Sequence, residues 1–198
     1  MVRNIDPIKD LVSLLRMITL LFRIKPDLVH SYTSKAGLVA MLSAWVCRIP
    51  IRVHTFTGLI FPTQSGLMQK ILFLCDRLIC ACATHVVPEG EGVKRDLLRF
   101  SVTRKSLNVI GHGNISGVNT DFFSPDYEGL DAEATKLRNR LQLSRHAFVF
   151  CFLGRLSSDK GISELIQAFS TLSGDVHLIV VGALDKSAPV DLETQQLL

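Results

Sequence analysis

The sequence predicts an α/β protein of parallel sheets arranged in two units. Three observations carry that expectation. Short apolar runs rich in Val, Ile and Phe alternate with longer segments whose apolar residues recur at helical spacing. Each run leads into a helix rather than a tight turn, which is how parallel strands are joined. A stretch without periodicity, Gly111 to Pro125 (GHGNISGVNTDFFSP), separates two such series.

Asp6 and Pro7 suit an N-cap and a first helical position. Ile8, Leu11, Leu15, Ile18 and Phe22 then form the expected inner face of a helix that Pro26 stops. Leu28 to Ser31 reads as a strand, and Ser34 as the cap of a helix from Lys35 to about Cys47. The Ala and Gly residues of that helix suit close packing on a sheet. Ile51 to Phe56 is the next strand. Thr57 to Gly66 is a loop with an apolar centre, and Leu67 to Cys82 is helical. His85 to Val87, Glu91 to Phe100 and Leu107 to Ile110 read as strand, helix and strand. Alternation of this kind predicts a sheet covered on both faces.

The second series starts with a helix from Asp131 to Leu141. The run Ala147 to Leu153 is short and unbroken, as in a buried strand. Gly154 breaks it, a polar loop follows, and Ile162, Leu165, Ile166 and Phe169 mark a helix. His177 to Val181 is a strand, and Asp191 to Leu198 the start of another helix. The expected domains are 1–122 and 123–198.

Composition narrows the function classes. The 198 residues are 47% hydrophobic and 20% charged, which excludes a disordered chain. The net charge of +4 suits an acidic ligand or an anionic membrane face. No basic face interleaved with aromatics appears, so nucleic acid is not an expected partner. The cysteines Cys47, Cys75, Cys80, Cys82 and Cys151 are odd in number, lack a C-x-x-C pair and lie in apolar patterns. Buried, reduced thiols are the expectation. Arg16 interrupts the apolar segment Leu11 to Phe22, so no span is predicted. A cytoplasmic protein with at most peripheral contact to the inner membrane face fits these traits.

The chemistry concentrates between Phe148 and Phe169. Arg155 and Lys160 lie between the end of a strand and the start of a helix. Ligands of open α/β sheets sit outside the carboxyl ends of the strands, and free N–H groups at a helix N-terminus favour an anion. Gly154 and Gly161 let the backbone approach it. The physical reading is a phosphate or diphosphate site; the bland reading is two solvated loop charges. Lys35, at another helix start, is a candidate for an acceptor phosphate or simply a solvated lysine. Gly113 and Asn114 read as hinge first and cleft contact second. The glycines at 111, 113 and 117 do not fit G-x-G-x-x-G, and no helix follows them. Leu59 to Phe61, with Gly66, Leu67 and Met68, either touch lipid or a lipid-linked acceptor or pack beneath a neighbouring helix. The histidines are scattered rather than set at metal-ligand spacing, and neither a metal nor a cofactor is expected.

Three segments also resemble one family. GRLSSDKGISELIQAF is similar to the start of the second domain of family 4 retaining glycosyltransferases of the GT-B fold. DLVHSYTSKAGLVAMLSAWVCRIPIRVHTFTG resembles the middle of the acceptor-side domain in the bacterial surface-polysaccharide type. NVIGHGNISGVNTDFFSP resembles the passage out of that domain. The likeness runs from about Pro26 to Gly182. It implies a GT-B-like pair of Rossmann-like units, with a partial acceptor domain at 1–122 and a partial donor domain at 123–198. Arg155 and Lys160 would hold the diphosphate of a nucleotide sugar, the uridine form being the family's usual one. The acceptor would be a saccharide, on a lipid carrier. His54 falls where some relatives place a residue facing the sugar, and it also reads as a satisfied core histidine. The family's glycine-rich start and later glutamate pair lie outside this sequence, so both units are expected to be incomplete. An inactive remnant, or a non-catalytic nucleotide- or phosphate-binding α/β protein, is the alternative.

Overall fold

The computed structural model describes residues 7–114, 117–185 and 188–197. Asp6, the expected N-cap, lies outside them. The chain divides into two compact units, Met1–Gly117 and Val118–Leu198.

In the first unit, β1 (Leu28–Tyr32), β2 (Ile51–Phe56) and β3 (His85–Pro88) form a parallel sheet in that order. Helices α2 (Ser34–Val46) and α3 (Gly66–Cys82) are its crossovers, and α4 (Glu91–Arg99) follows β3. All three contribute to one core with Met41, Phe56, Ile79, Val86 and Leu97. The expectation of helices on both faces fails here. Right-handed crossovers that advance in one direction leave every helix on the same side. Among the described residues, no helix packs on the face of His30, Tyr32 and Thr55.

Helix α1 (Pro7–Ile24) packs on α2. Its inner face is not the expected one. Leu21 is buried with Met17 beside it, while Ile8, Leu11, Leu15 and Phe22 are exposed. Apolar residues occupy more than one side of this helix. The choice falls to the side of Asp10, whose carboxylate meets Lys35 of α2 at 2.8 Å.

The 57–66 loop contains a 3₁₀ turn, Phe61–Thr63. Phe61 is buried and meets Phe73 and Phe100 edge-on, at 5.3 and 5.1 Å between ring centres. The expected strand at Leu107 to Ile110 forms no ladder; Leu107 is fixed by burial instead.

The carboxyl end of α3 is held by two cations. Lys105 Nζ donates to the carbonyls of Cys80, at 2.7 Å, and Ala83. Arg52 Nε donates to the Cys82 carbonyl at 2.6 Å. These carbonyls have no partner within the helix, and the helix dipole favours positive charge at that end. Lys105→Met keeps the stem but removes the donors. It is expected to cost about 2 kcal/mol, read as a lower urea midpoint with an unchanged slope.

In the second unit, β4 (Phe148–Leu153) and β5 (Val176–Val181) pair in parallel, joined by α6 (Ile162–Ser170). Helices α5 (Leu130–Arg140) and α7 (Leu192–Leu197) flank them in sequence. The core is small: Leu156, Ile162 and Val190, with Phe152, Leu165, Ile166 and Val180 against it. It sits at the carboxyl end of the strands, so β4 is not the buried strand its composition suggests. Phe148, Leu153 and Cys151 are exposed. Cys151 thereby departs from the expectation of buried thiols.

Candidate functional site

The strands β4 and β5 end in the same pattern, Gly-x-Leu, at Gly154–Leu156 and Gly182–Leu184. The two ends run side by side. Gly154 N–H donates to the Val181 carbonyl at 3.0 Å, Leu156 N–H to Ala183 at 2.9 Å, and Asp185 N–H to Leu156 at 3.0 Å. A Cβ on Gly182 would stand 1.7 Å from the Gly154 carbonyl oxygen. This joining aims Arg155 at Asp185, and the two side chains form an ion pair. The other side of the guanidinium faces Asp159 at 3.6 Å.

Past Leu156, the chain makes a 3₁₀ turn, Ser158–Lys160. Gly161 follows with φ of 69°, in the left-handed region that glycine occupies without strain. Helix α6 begins there and is anchored by Ile162, which is fully buried. Ser157 is also fully buried. Its hydroxyl faces Asp159 without completing a hydrogen bond and, with the charges of Arg155 and Lys160 after it, holds that carboxyl below the usual carboxylate range. Arg155, Asp159 and Lys160 thus form one charged cluster in the turn before α6. The first turn of α6 is tied to α7: Ser163 and Thr194 both donate to Asp191, whose carboxyl is pulled down to about 2, first by Ser163. The cluster holds two cations against two carboxylates, Asp159 and Asp185. A diphosphate would have to displace those carboxylates from Arg155.

In the first unit, His54 is fully buried in β2. Its Nδ1 is 2.8 Å from Ser31 Oγ, and its ring meets Phe56 edge-on. Gly37 of α2 makes the room, since a Cβ there would stand 2.3 Å from His54 Cε1. Its Nε2 is buried with no partner, and burial pulls its pKa down to about 4. His54 is therefore a neutral core histidine and does not reach the surface. Lys35 is engaged with Asp10 of α1.

Gly113 and Asn114 close against the start of α4. Asn114 N–H donates to the Glu89 carbonyl at 2.8 Å, and a Cβ on Gly113 would stand 3.0 Å from that same oxygen. Asn114 lines a small cavity with residues that sequence reasoning passed over: His30, Tyr32, Thr55 and Glu89. His30 Nε2 is 2.8 Å from Thr55 Oγ1, and Tyr32 Oη is 3.3 Å from His30 Nδ1. The alternation in LVHSY places His30 and Tyr32 on one face, which is the signal that could have found them. Thr33, next in the chain, turns into α2 with φ of 63°, an outlying conformation for a β-branched residue.

Comparison with known proteins gives these sites a context. The family described as "Glycosyl transferase 4-like domain" matches residues 2–113. A capsular polysaccharide biosynthesis glycosyltransferase, CapM of Staphylococcus aureus, is 33% identical over 96% of this chain and 50% of its own. A UDP-Gal:alpha-D-GlcNAc-diphosphoundecaprenol alpha-1,3-galactosyltransferase of Escherichia coli is 29% identical over 91% of this chain and 46% of its own. The chain thus spans about half the length of these curated relatives. Among solved structures, a glycosyltransferase from Rickettsia africae ESF-5 superposes with a TM-score of 0.58 at 21% identity, over 92% of this chain and 46% of that one.

Proposed function

The chain belongs to the glycosyl transferase 4-like family, and on that premise we propose that it serves sugar transfer from a uridine diphosphate sugar to a lipid-linked saccharide in surface-polysaccharide assembly. The observation that carries this reading is the cluster of Arg155 and Lys160 between the carboxyl end of β4 and the start of α6. The nature of the two named relatives supports the choice of donor and acceptor.

In this reading the departing diphosphate gains negative charge as the bond to the sugar breaks. Arg155 leaves its carboxylate partners and grips the diphosphate with paired hydrogen bonds, while Lys160 acts as a point charge. The first N–H groups of α6 add donors that need no reorganisation. The acceptor hydroxyl is taken up on the sheet face opposite the helices, where exposed His30 and Tyr32 offer both donors and acceptors and buried Thr55 holds the His30 ring. His54 and Ser31 lie on the opposite, helix-covered side of the strands and take no direct part in this reading.

Titration of a uridine diphosphate sugar into the full chain tests the donor site. Arg155→Ala and Lys160→Ala are each expected to weaken binding roughly tenfold or more, the scale of one hydrogen bond to a charged group. Binding that neither substitution changes would remove the assignment. Binding without turnover of a lipid-linked saccharide would instead favour a non-catalytic phosphate-binding protein.

A further inference from the structure

Arg155 has two carboxylate partners, and they differ in how readily they give it up. Asp159 sits in the 3₁₀ turn, 3.6 Å from one guanidinium nitrogen, and its side chain is 53% exposed. Water takes over such a carboxylate easily, as in most surface ion pairs. Asp185 pairs with the other terminal nitrogen, and its side chain is only 12% exposed.

The backbone of Asp185 is also fixed. Its N–H donates to the Leu156 carbonyl at 3.0 Å, and its carbonyl accepts from the Ala188 N–H at 3.3 Å. The Ala188 carbonyl in turn accepts from the Ser158 N–H at 3.1 Å. Leu156 and Leu184 continue the parallel pairing past both strand ends. The segment after β5 is thus stitched to the turn that carries Arg155 and Lys160. The Asp185 carboxylate stays at the strand end when Arg155 turns to another anion. An arriving anion must overcome its attraction for the guanidinium, and is itself repelled by it.

We propose that Asp185 is a positioning residue that competes with the diphosphate for Arg155 and so hastens the diphosphate's departure. The inference rests on the reading of this turn as a diphosphate site. Before the donor arrives, the carboxylate holds the guanidinium at the strand end. After transfer it offers Arg155 a partner already in place, so the spent diphosphate does not leave a bare cation behind. Asp159, which water serves equally well, has no such hold.

The full chain is titrated with pyrophosphate and with uridine diphosphate, and the rate of release of each is followed. Asp185→Asn should tighten both roughly tenfold, through slower release, because the carboxylate that opposes them is gone. Asp185→Ser removes the same charge with a smaller group and should do the same. Structural damage could only weaken binding, so the sign of the change separates competition from a role in folding. Asp159→Asn should alter either affinity less than about threefold. With Arg155→Ala in place, Asp185→Asn should tighten binding far less, because the cation under competition is missing. Asp185 variants that leave binding unchanged or weaken it overturn the inference. So does an equal gain from Asp159→Asn, a gain of full size without Arg155, or no binding of either anion to any version. Pyrophosphate binding that follows the expected pattern, with no binding of a uridine diphosphate sugar, would remove the donor reading and leave the competition standing. Sugar-nucleotide binding weakened by Arg155→Ala but indifferent to Asp185→Asn would do the reverse.

Discussion

Gly182→Ala is expected to unfold the second unit while leaving the first intact. The added Cβ would stand 1.7 Å from the Gly154 carbonyl oxygen. That atom belongs to the backbone and cannot rotate aside. To relieve the clash, the ends of β4 and β5 must part, and with them the bonds from Gly154 to Val181 and from Leu156 to Ala183. Those bonds align the Leu156 to Ile162 core and bring Arg155 to Asp185. The expected cost is about 3 kcal/mol or more, against a small core built on Leu156, Ile162 and Val190. Hydrogen exchange read by peptide should show amides of 148–181 losing protection, with 28–88 unchanged. Full protection in both segments would contradict the argument.

The second large effect is a cancellation that one substitution removes. Burial pushes the Asp76 carboxyl up to about 6, with the Ser34 hydroxyl acting in the opposite sense. Between pH 4 and 6 the folded state therefore holds a proton that the unfolded state has released, and stability from Asp76 falls as pH rises. Burial, aided by His30, pulls His54 down to about 4. In the same window the unfolded state holds the histidine proton and the folded state does not, so stability from His54 rises with pH. Each shift corresponds to about 3 kcal/mol, with opposite signs. The parent protein should show little net slope from this pair between pH 4 and 6. Asp76→Asn keeps an acceptor for Ser34 and removes the buried charge. It is expected to stabilise the first unit by up to about 3 kcal/mol at pH 7. The variant should then lose stability steadily as pH falls from 6.5 to 4, because only the histidine remains. Denaturant titrations at pH 7 and pH 5 decide this. A variant no more stable than the parent at pH 7 would refute it.

The alternation of apolar runs and helical periods made the parallel architecture legible, and most helices and strands begin and end within a residue or two of the expected bounds. What the sequence left open was decided by partners. The apolar residues of α1 could be divided between inside and outside in two ways, and an ion pair between Asp10 and Lys35 chose one. Ala147 to Leu153 look like a buried strand, yet burial depends on what covers a strand, which its composition does not state. Arg155 and Lys160 were visible because the loop is short and local. Asp185, which engages Arg155 from another strand end, lies thirty residues downstream and carries no local mark. His30 and Tyr32 were concealed by the brevity of β1, whose five residues give alternation little room to declare itself.

The sheet order of the first unit has a consequence for how the chain is made. Its strands stand in space in the order in which a ribosome would release them, β1 then β2 then β3. Among these three described strands, each pairing partner is one crossover helix away. Loop closure is correspondingly cheap at every step. The sheet can grow outward by one strand at a time during synthesis, with α2 and then α3 covering the new surface as it forms.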